Sequence, residues 1–147
     1  MNEARAGLNV KQAVPFFMVV DMEKSLRFYL DDLGFELKMK WEPGGTIEWC
    51  WLLIGDAAIM LQEYRSNVPP EPRGKGVSIC FMCDDALSMY SRLVSRGMKV
   101  TEPFVGNNLW VVQSKDPDGY DLYFESPTEV TEGTTYSQWI SDNQEIS

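Results

Sequence analysis

The chain has 147 residues, the usual size of one domain, and its 44% hydrophobic and 24% charged residues mark it as globular. With 13 Lys and Arg against 22 Asp and Glu the net charge is -9, which argues against nucleic acid or an anionic membrane as partner. No histidine is present, so an imidazole-ligated metal, a histidine general base and the Ser-His-Asp or Cys-His sites are all excluded.

The opening MNEARAGLNVKQ has mixed charge and no apolar run, and the apolar stretches Val14–Val20 and Trp49–Ile54 are too short to cross a bilayer. The expectation is a cytoplasmic protein with three reduced cysteines. VPFFMVVD reads as a strand. In the following MEKSLRFYLDDLG, Met22, Leu26, Tyr29, Leu30 and Leu33 recur at helical spacing, with Asp21 as N-cap and Gly34 as stop. Three strands follow, FELKMKWE, TIEWCWLLIG and AAIMLQEY, the last two joined by a turn at Gly55 and Asp56. The Pro- and Gly-rich SNVPPEPRGKG, residues 66–76, reads as a linker.

The same order then returns. VSICFMCD reads as a strand, and DALSMYSRLVSRG as a helix with Leu87, Tyr90, Leu93 and Val94 on one face. Either Asp84 or Asp85 caps it and Gly97 ends it, and Asp84 to Gly97 spans the same thirteen residues as Asp21 to Gly34. KVTEPF, LWVVQSK and DLYFESP read as the closing strands, with Asp116-Pro117-Asp118-Gly119 as the turn before the last. This weak repeat predicts an α+β fold of two βαβββ modules forming a curved, partly open mixed sheet with helices on the outer face. The modules fall at 13–65 and 77–127 within one domain, 1–127. The polar extension 128–147 reads by default as a frayed tail; a short helix at 134–141, a lid or a dimer arm are the alternatives. Cys80 and Cys83 form a CxxC, but three residues apart on a strand they point to opposite faces, and a fourth zinc ligand is lacking.

VVDMEKSLRFYLDDLGFEL, the hairpin WCWLLIGDAAIMLQE and KDPDGYDLYFESP together resemble the vicinal oxygen chelate superfamily, which includes glyoxalase I, bleomycin-resistance proteins and extradiol dioxygenases. The likeness spans residues 13–127. It implies a divalent metal held inside a cup by His, Glu or Gln on the first and fourth strands of each module. The matching positions here are Val14, Met60, Ser78 (or Val77) and Tyr123, none a usual ligand. Alternation leaves Gln62, Asp121 and Glu125 as nearby inward groups, Glu63 pointing away; two carboxylates with water could hold a hard cation such as Mg²⁺, but the expectation is a chain without the family's metal or another cofactor.

The same alternation aims Phe16, Met18, Ala58, Met60 and Gln62 inward from the first module, and Ser78, Cys80, Met82, Tyr123 and Glu125 from the second. Trp49, Trp51 and Trp110 lie on neighbouring strands. The expected ligand-binding set is Phe16, Met18, Trp49, Trp51, Met60, Gln62, Ser78, Trp110, Tyr123 and Glu125, with Gln62 and Glu125 as polar anchors. Trp49 is the preferred contact, because resistance-like relatives carry a tryptophan at the matching place. The resemblance implies a homodimer and a metal-independent binder of a small aromatic or cationic molecule, similar to the antibiotic-sequestering branch. The enzymatic alternative is a glyoxalase-like lyase or isomerase acting on a small carbonyl compound, with Glu125 as base and Tyr123 as oxyanion donor. A third reading is a scaffold with a filled cup.

Overall fold

The structure, a computed structural model, describes residues 9–71 and 73–146. The first module runs β1 (Phe16–Val19), α1 (Met22–Leu26, continuing as a π-helical segment Arg27–Asp32), β2 (Glu36–Trp41), β3 (Trp49–Ile54) and β4 (Ala57–Glu63). The second runs β5 (Ser78–Met82), α2 (Ala86–Ser95), β6 (Phe104–Gly106), β7 (Leu109–Lys115) and β8 (Asp121–Pro127), followed by α3 (Tyr136–Ile146). Each module forms its own four-stranded mixed sheet, ordered β1-β4-β3-β2 and β5-β8-β7-β6, with the first strand parallel to the fourth and the rest antiparallel. The fold class is the expected one, and its curved sheet consists of two separate halves.

The helices begin and end where local chemistry dictates. The Asp21 carboxylate accepts the Lys24 N–H at 3.1 Å and the Asp85 carboxylate accepts the Ser88 N–H at 3.2 Å, so Asp85 is the second cap. Gly34 (φ +91) and Gly97 (φ +76) take the left-handed conformation that stops each helix. Counted from Asp85, the second interval is one residue shorter than the first. The first helix takes up its extra residue in the π-segment, where Leu33 N–H reaches Phe28 C=O at 2.9 Å. The Asp85 cap aligns Val14 with Ser78 rather than Val77, each seven residues before its aspartate.

Period-two patterning sets which face is buried. In β3, Cys50 and Leu52 are buried while Trp49, Trp51 and Leu53 stay partly exposed; in β8, Leu122, Phe124 and Ser126 are buried while Tyr123 and Glu125 are not. The buried faces of both sheets and the apolar stripes of α1 and α2 form one continuous core containing Tyr29, Leu33, Leu61, Leu93, Val112 and Phe124. Edge-to-face ring pairs carry it from Tyr29 through Phe35 to Phe81, which stacks on Phe124.

The Asp116–Gly119 turn is more than a connector. Asp116 and Asp118 are both buried. Asp116 accepts the N–H groups of Asp118 and Tyr120 at 2.9 Å and, across the module boundary, the Tyr29 hydroxyl at 2.8 Å. Asp118 accepts Val20 N–H at 3.0 Å, and the Tyr120 ring stacks on Phe17 at 3.8 Å between centroids. Buried carboxylates are tolerated only when so satisfied, and this turn therefore pins β1 and α1 to the second module.

Two expectations change. The second strand of the second module is not KVTEPF: Pro103 offers no N–H, and pairing starts only at Phe104. The C-terminal extension is not a frayed tail. Thr135 and Gln138 make a reciprocal capping box, the Gln138 side chain accepting Thr135 N–H at 2.9 Å and the Thr135 hydroxyl accepting Gln138 N–H at 3.3 Å. The Glu102 carboxylate accepts Ser137 N–H at the start of the helix, and bonding from the Ser137 hydroxyl and then from this N–H holds its pKa below the usual carboxylate value. Tyr136 and Trp139, one turn apart, then close on Trp110 and Tyr90.

Candidate functional site

Register assembles a coherent apolar surface on the concave face of the first sheet. Reading across β2, β3, β4 and β1, one row is Trp41, Trp49, Gln62, Met18 and the next is Met39, Trp51, Met60, Phe16. Six of the ten expected contact residues therefore lie side by side: Phe16, Met18, Trp49, Trp51, Met60 and Gln62. Met39 and Trp41 join them and were missed. Their alternation in FELKMKWE was legible, but the β2 register shifts between Leu37 and Met39, a bulge that puts one extra residue, Lys38, into the strand.

This surface is open. Phe16 is 49% exposed, Met39 47% and Trp41 48%, while Trp49, Trp51, Met60 and Gln62 are partly covered. Among the described residues, ring-to-ring contacts lie in the core and around α3, and Trp41, Trp49 and Trp51 take part in none. Two cations instead lie over these rings: Lys38 Nζ is 5.4 Å from the Trp51 centroid, and the Arg65 guanidinium is 5.6 Å from that of Trp41. The buried Trp51 Nε1–H has no acceptor.

The concave face of the second sheet differs. Cys80 pairs with Tyr123 and Met82 with Glu125, and Ser78 sits exposed opposite Asp121. Asp121 is held by Lys115. The Cys80 thiol is pushed up by burial and by the Glu125 carboxylate, which accepts its hydrogen bond. A cavity of about 710 Å³ opens where β6 is short, lined by Met98, Lys99, Gln113, Lys115, Asp121 and Tyr123. Another of about 600 Å³ lies between the Ile54–Ala57 turn and Cys80, Met82, Cys83 and Met89.

Trp110 does not belong to either concave face. It pairs with Ser126, is 4% exposed, and lies under α3 with its ring 5.6 Å from that of Trp139. On β7 the concave parity belongs to Val111 and Gln113, so the alternation that brings Tyr123 and Glu125 to that face turns Trp110 the other way.

The metal positions of the fold are filled by groups that do not suit a cation. Val14 and Met60 offer no hard donor, Ser78 is exposed and neutral, and Tyr123 is a phenol. Gln62 lies on one sheet, Asp121 and Glu125 on the other, and among the described residues no three Cys, Asp or Glu side chains gather into a metal-binding group.

Paired βαβββ modules, each with a capped helix behind a sheet whose concave face is open, define the α+β class of this protein. The chain belongs to the Glyoxalase/Bleomycin resistance protein/Dioxygenase superfamily, whose family model matches residues 11–124. Its structure is similar to that of TnmS3, an antibiotic binding protein from Streptomyces sp. CB03234, at 24% identity over 81% of this chain and 98% of that one, with a TM-score of 0.63. It is also similar to TioX from Micromonospora sp. ML1, at 16% identity over 80% and 99% of the chains and a TM-score of 0.63. A glyoxalase/bleomycin resistance protein from the same Streptomyces is 24% identical over 76% and 98%, with a TM-score of 0.58. None of the curated proteins matches the chain. Among the described residues no helix is long and apolar enough to cross a membrane.

Proposed function

We propose that this protein binds a small planar molecule without a metal, in the manner of the antibiotic-sequestering members of its superfamily. The observation that carries the reading is the tryptophan surface of the first sheet, whose rings are matched by no other ring of the described residues. A flat ligand stacked there gains about 0.5–1.5 kcal/mol per ring pair beyond the area it buries. Gln62, between Trp49 and Met18, supplies a polar fixing point within that surface. Of the two ligand classes expected from the sequence, the aromatic one is better supported, since Lys38 and Arg65 already lie over two of the rings. TnmS3, a structural neighbour, carries a description as an antibiotic binding protein, which agrees with this reading.

A second copy of the chain is proposed to complete the site. Half-exposed Phe16, Met39 and Trp41 on one sheet, and Met82, 64% exposed, on the other, are apolar groups that a partner would cover, which supports this reading. The lyase or isomerase reading, with Glu125 as base and Tyr123 as donor, has no observation in its favour beyond the two side chains sharing a face.

Titrating the purified protein with a panel of planar aromatic antibiotics while following tryptophan fluorescence tests the binding reading. Saturable quenching at micromolar concentration is expected, and a flat response to every compound refutes it. Light scattering tests the assembly: twice the chain mass is expected, and a monomer at all concentrations refutes it.

A further inference from the structure

The tryptophan surface has a marked polarity. Its two cations, Lys38 and Arg65, stand over Trp51 and Trp41, and the buried Trp51 Nε1–H points its proton at no acceptor. The carboxylates near it are engaged or displaced. Glu63 accepts Met22 N–H at 2.8 Å, Glu42 pairs with Lys40 at 3.1 Å, and Glu36 lies opposite Leu53, past the bulge. The face is therefore rich in donors and positive charge within a chain of net charge -9. A cationic ligand at Trp51 or Trp41 would have to displace Lys38 or Arg65 from ring faces they already occupy, one at Trp49 would be repelled by both, and neither would meet the Trp51 N–H. A ligand carrying an acceptor satisfies all three groups.

Resting on the binding reading above, we infer that the ligand is a planar aromatic anion, a polycyclic carboxylate or phenolate, whose rings lie against Trp49 and whose charged oxygen is directed towards Lys38, Arg65 and the Trp51 N–H. The overall acidic surface then acts as a filter. It disfavours anions in general, so an anion needs enough aromatic area to stack on this face to be retained.

The test uses the intact chain and three ligands of one shape: 2-naphthoate, the neutral 2-naphthamide and the 2-naphthyltrimethylammonium cation, each titrated by calorimetry at low and high salt. Binding of the naphthoate at least about tenfold tighter than of the ammonium compound is expected, with the gap narrowing as salt rises. Lys38→Met combined with Arg65→Met is expected to remove the preference while naphthamide binding persists. Binding of all three with equal or greater affinity for the cation overturns this inference and leaves the binding reading standing. A preference that survives both the double substitution and high salt overturns the assignment to this face. Failure of all three ligands to bind overturns the inference and counts against the binding reading together.

Discussion

The two modules share one topology and use their tryptophans in opposite ways. In the first, Trp41, Trp49 and Trp51 stand on the concave face, partly open and matched only by Lys38 and Arg65. In the second, Trp110 is turned to the outer face and sealed under α3 by Tyr136 and Trp139. The difference follows from parity on the strand and from what the chain supplies next. Where β2 is six residues long it presents Met39 and Trp41 beside β3; where β6 is three residues long, the space beside β7 opens as a cavity. One fold unit thus yields a surface for something else to cover and a surface the chain covers itself.

Exchange of matched tryptophans for alanine is the sharpest probe of that contrast. Trp110→Ala is expected to cost about 3–5 kcal/mol in urea unfolding, from lost burial and the cavity left under α3, with ligand affinity unchanged in the surviving folded fraction. A loss below ~1 kcal/mol would place Trp110 outside the core. Asp116→Ala strips acceptors from Tyr29 Oη and two backbone N–H groups at the module boundary, and is expected to cost about 3 kcal/mol. Tyr29→Phe, which leaves the two N–H partners in place, should cost about 1–1.5 kcal/mol; no loss in Tyr29→Phe would show that the Asp116 carboxylate does not join the modules. Trp49→Ala should do the reverse of Trp110→Ala, changing stability by under ~1 kcal/mol and weakening a planar ligand about tenfold, a change worth ~1.4 kcal/mol.

A last expected effect is alkaline. Burial pushes the Cys50 thiol from 9.0 up to about 11 and the Tyr120 phenol from 10.0 up to about 12, and holds Tyr29 well above its ordinary value. In each case the folded state keeps a proton that the unfolded chain gives up. The stability is therefore fully present below pH 9 and is lost as pH rises between about 9 and 12. Urea midpoints measured at pH 8 and pH 10.5 should differ, and Cys50→Ala should flatten the lower part of the slope. A midpoint unchanged to pH 11 would mean that these groups are open to solvent.

How much was legible beforehand divides along the range of the interaction. Asp21, Gly34 and Gly97 announced the helix ends because capping is local, and the alternating strands announced their faces because the strand period is two. The second cap stayed open between Asp84 and Asp85 because the equal count from the first helix pointed to Asp84, whereas a π-turn in that helix adds one residue, and nothing in apolar spacing distinguishes a π-turn from a regular one. The capping box Thr135-Tyr136-Ser137-Gln138 was present in the sequence and would have raised the C-terminal segment from tail to helix. Its docking partner, Trp110, was not deducible, since nothing local says which outer surface an amphipathic segment will cover.

For the candidate site, the sequence by itself determined the composition: no histidine, no usual ligand at Val14, Met60, Ser78 or Tyr123, and tryptophans at alternating places on a strand. Those are statements about residue type and period, and they need no knowledge of neighbours. Tertiary structure decided that Trp41 joins Trp49, that Trp110 faces away, and that Lys38 and Arg65 stand over the rings. Each depends on register between strands distant in the chain, and a single extra residue at the β2 bulge resets which side chains that register brings to the face.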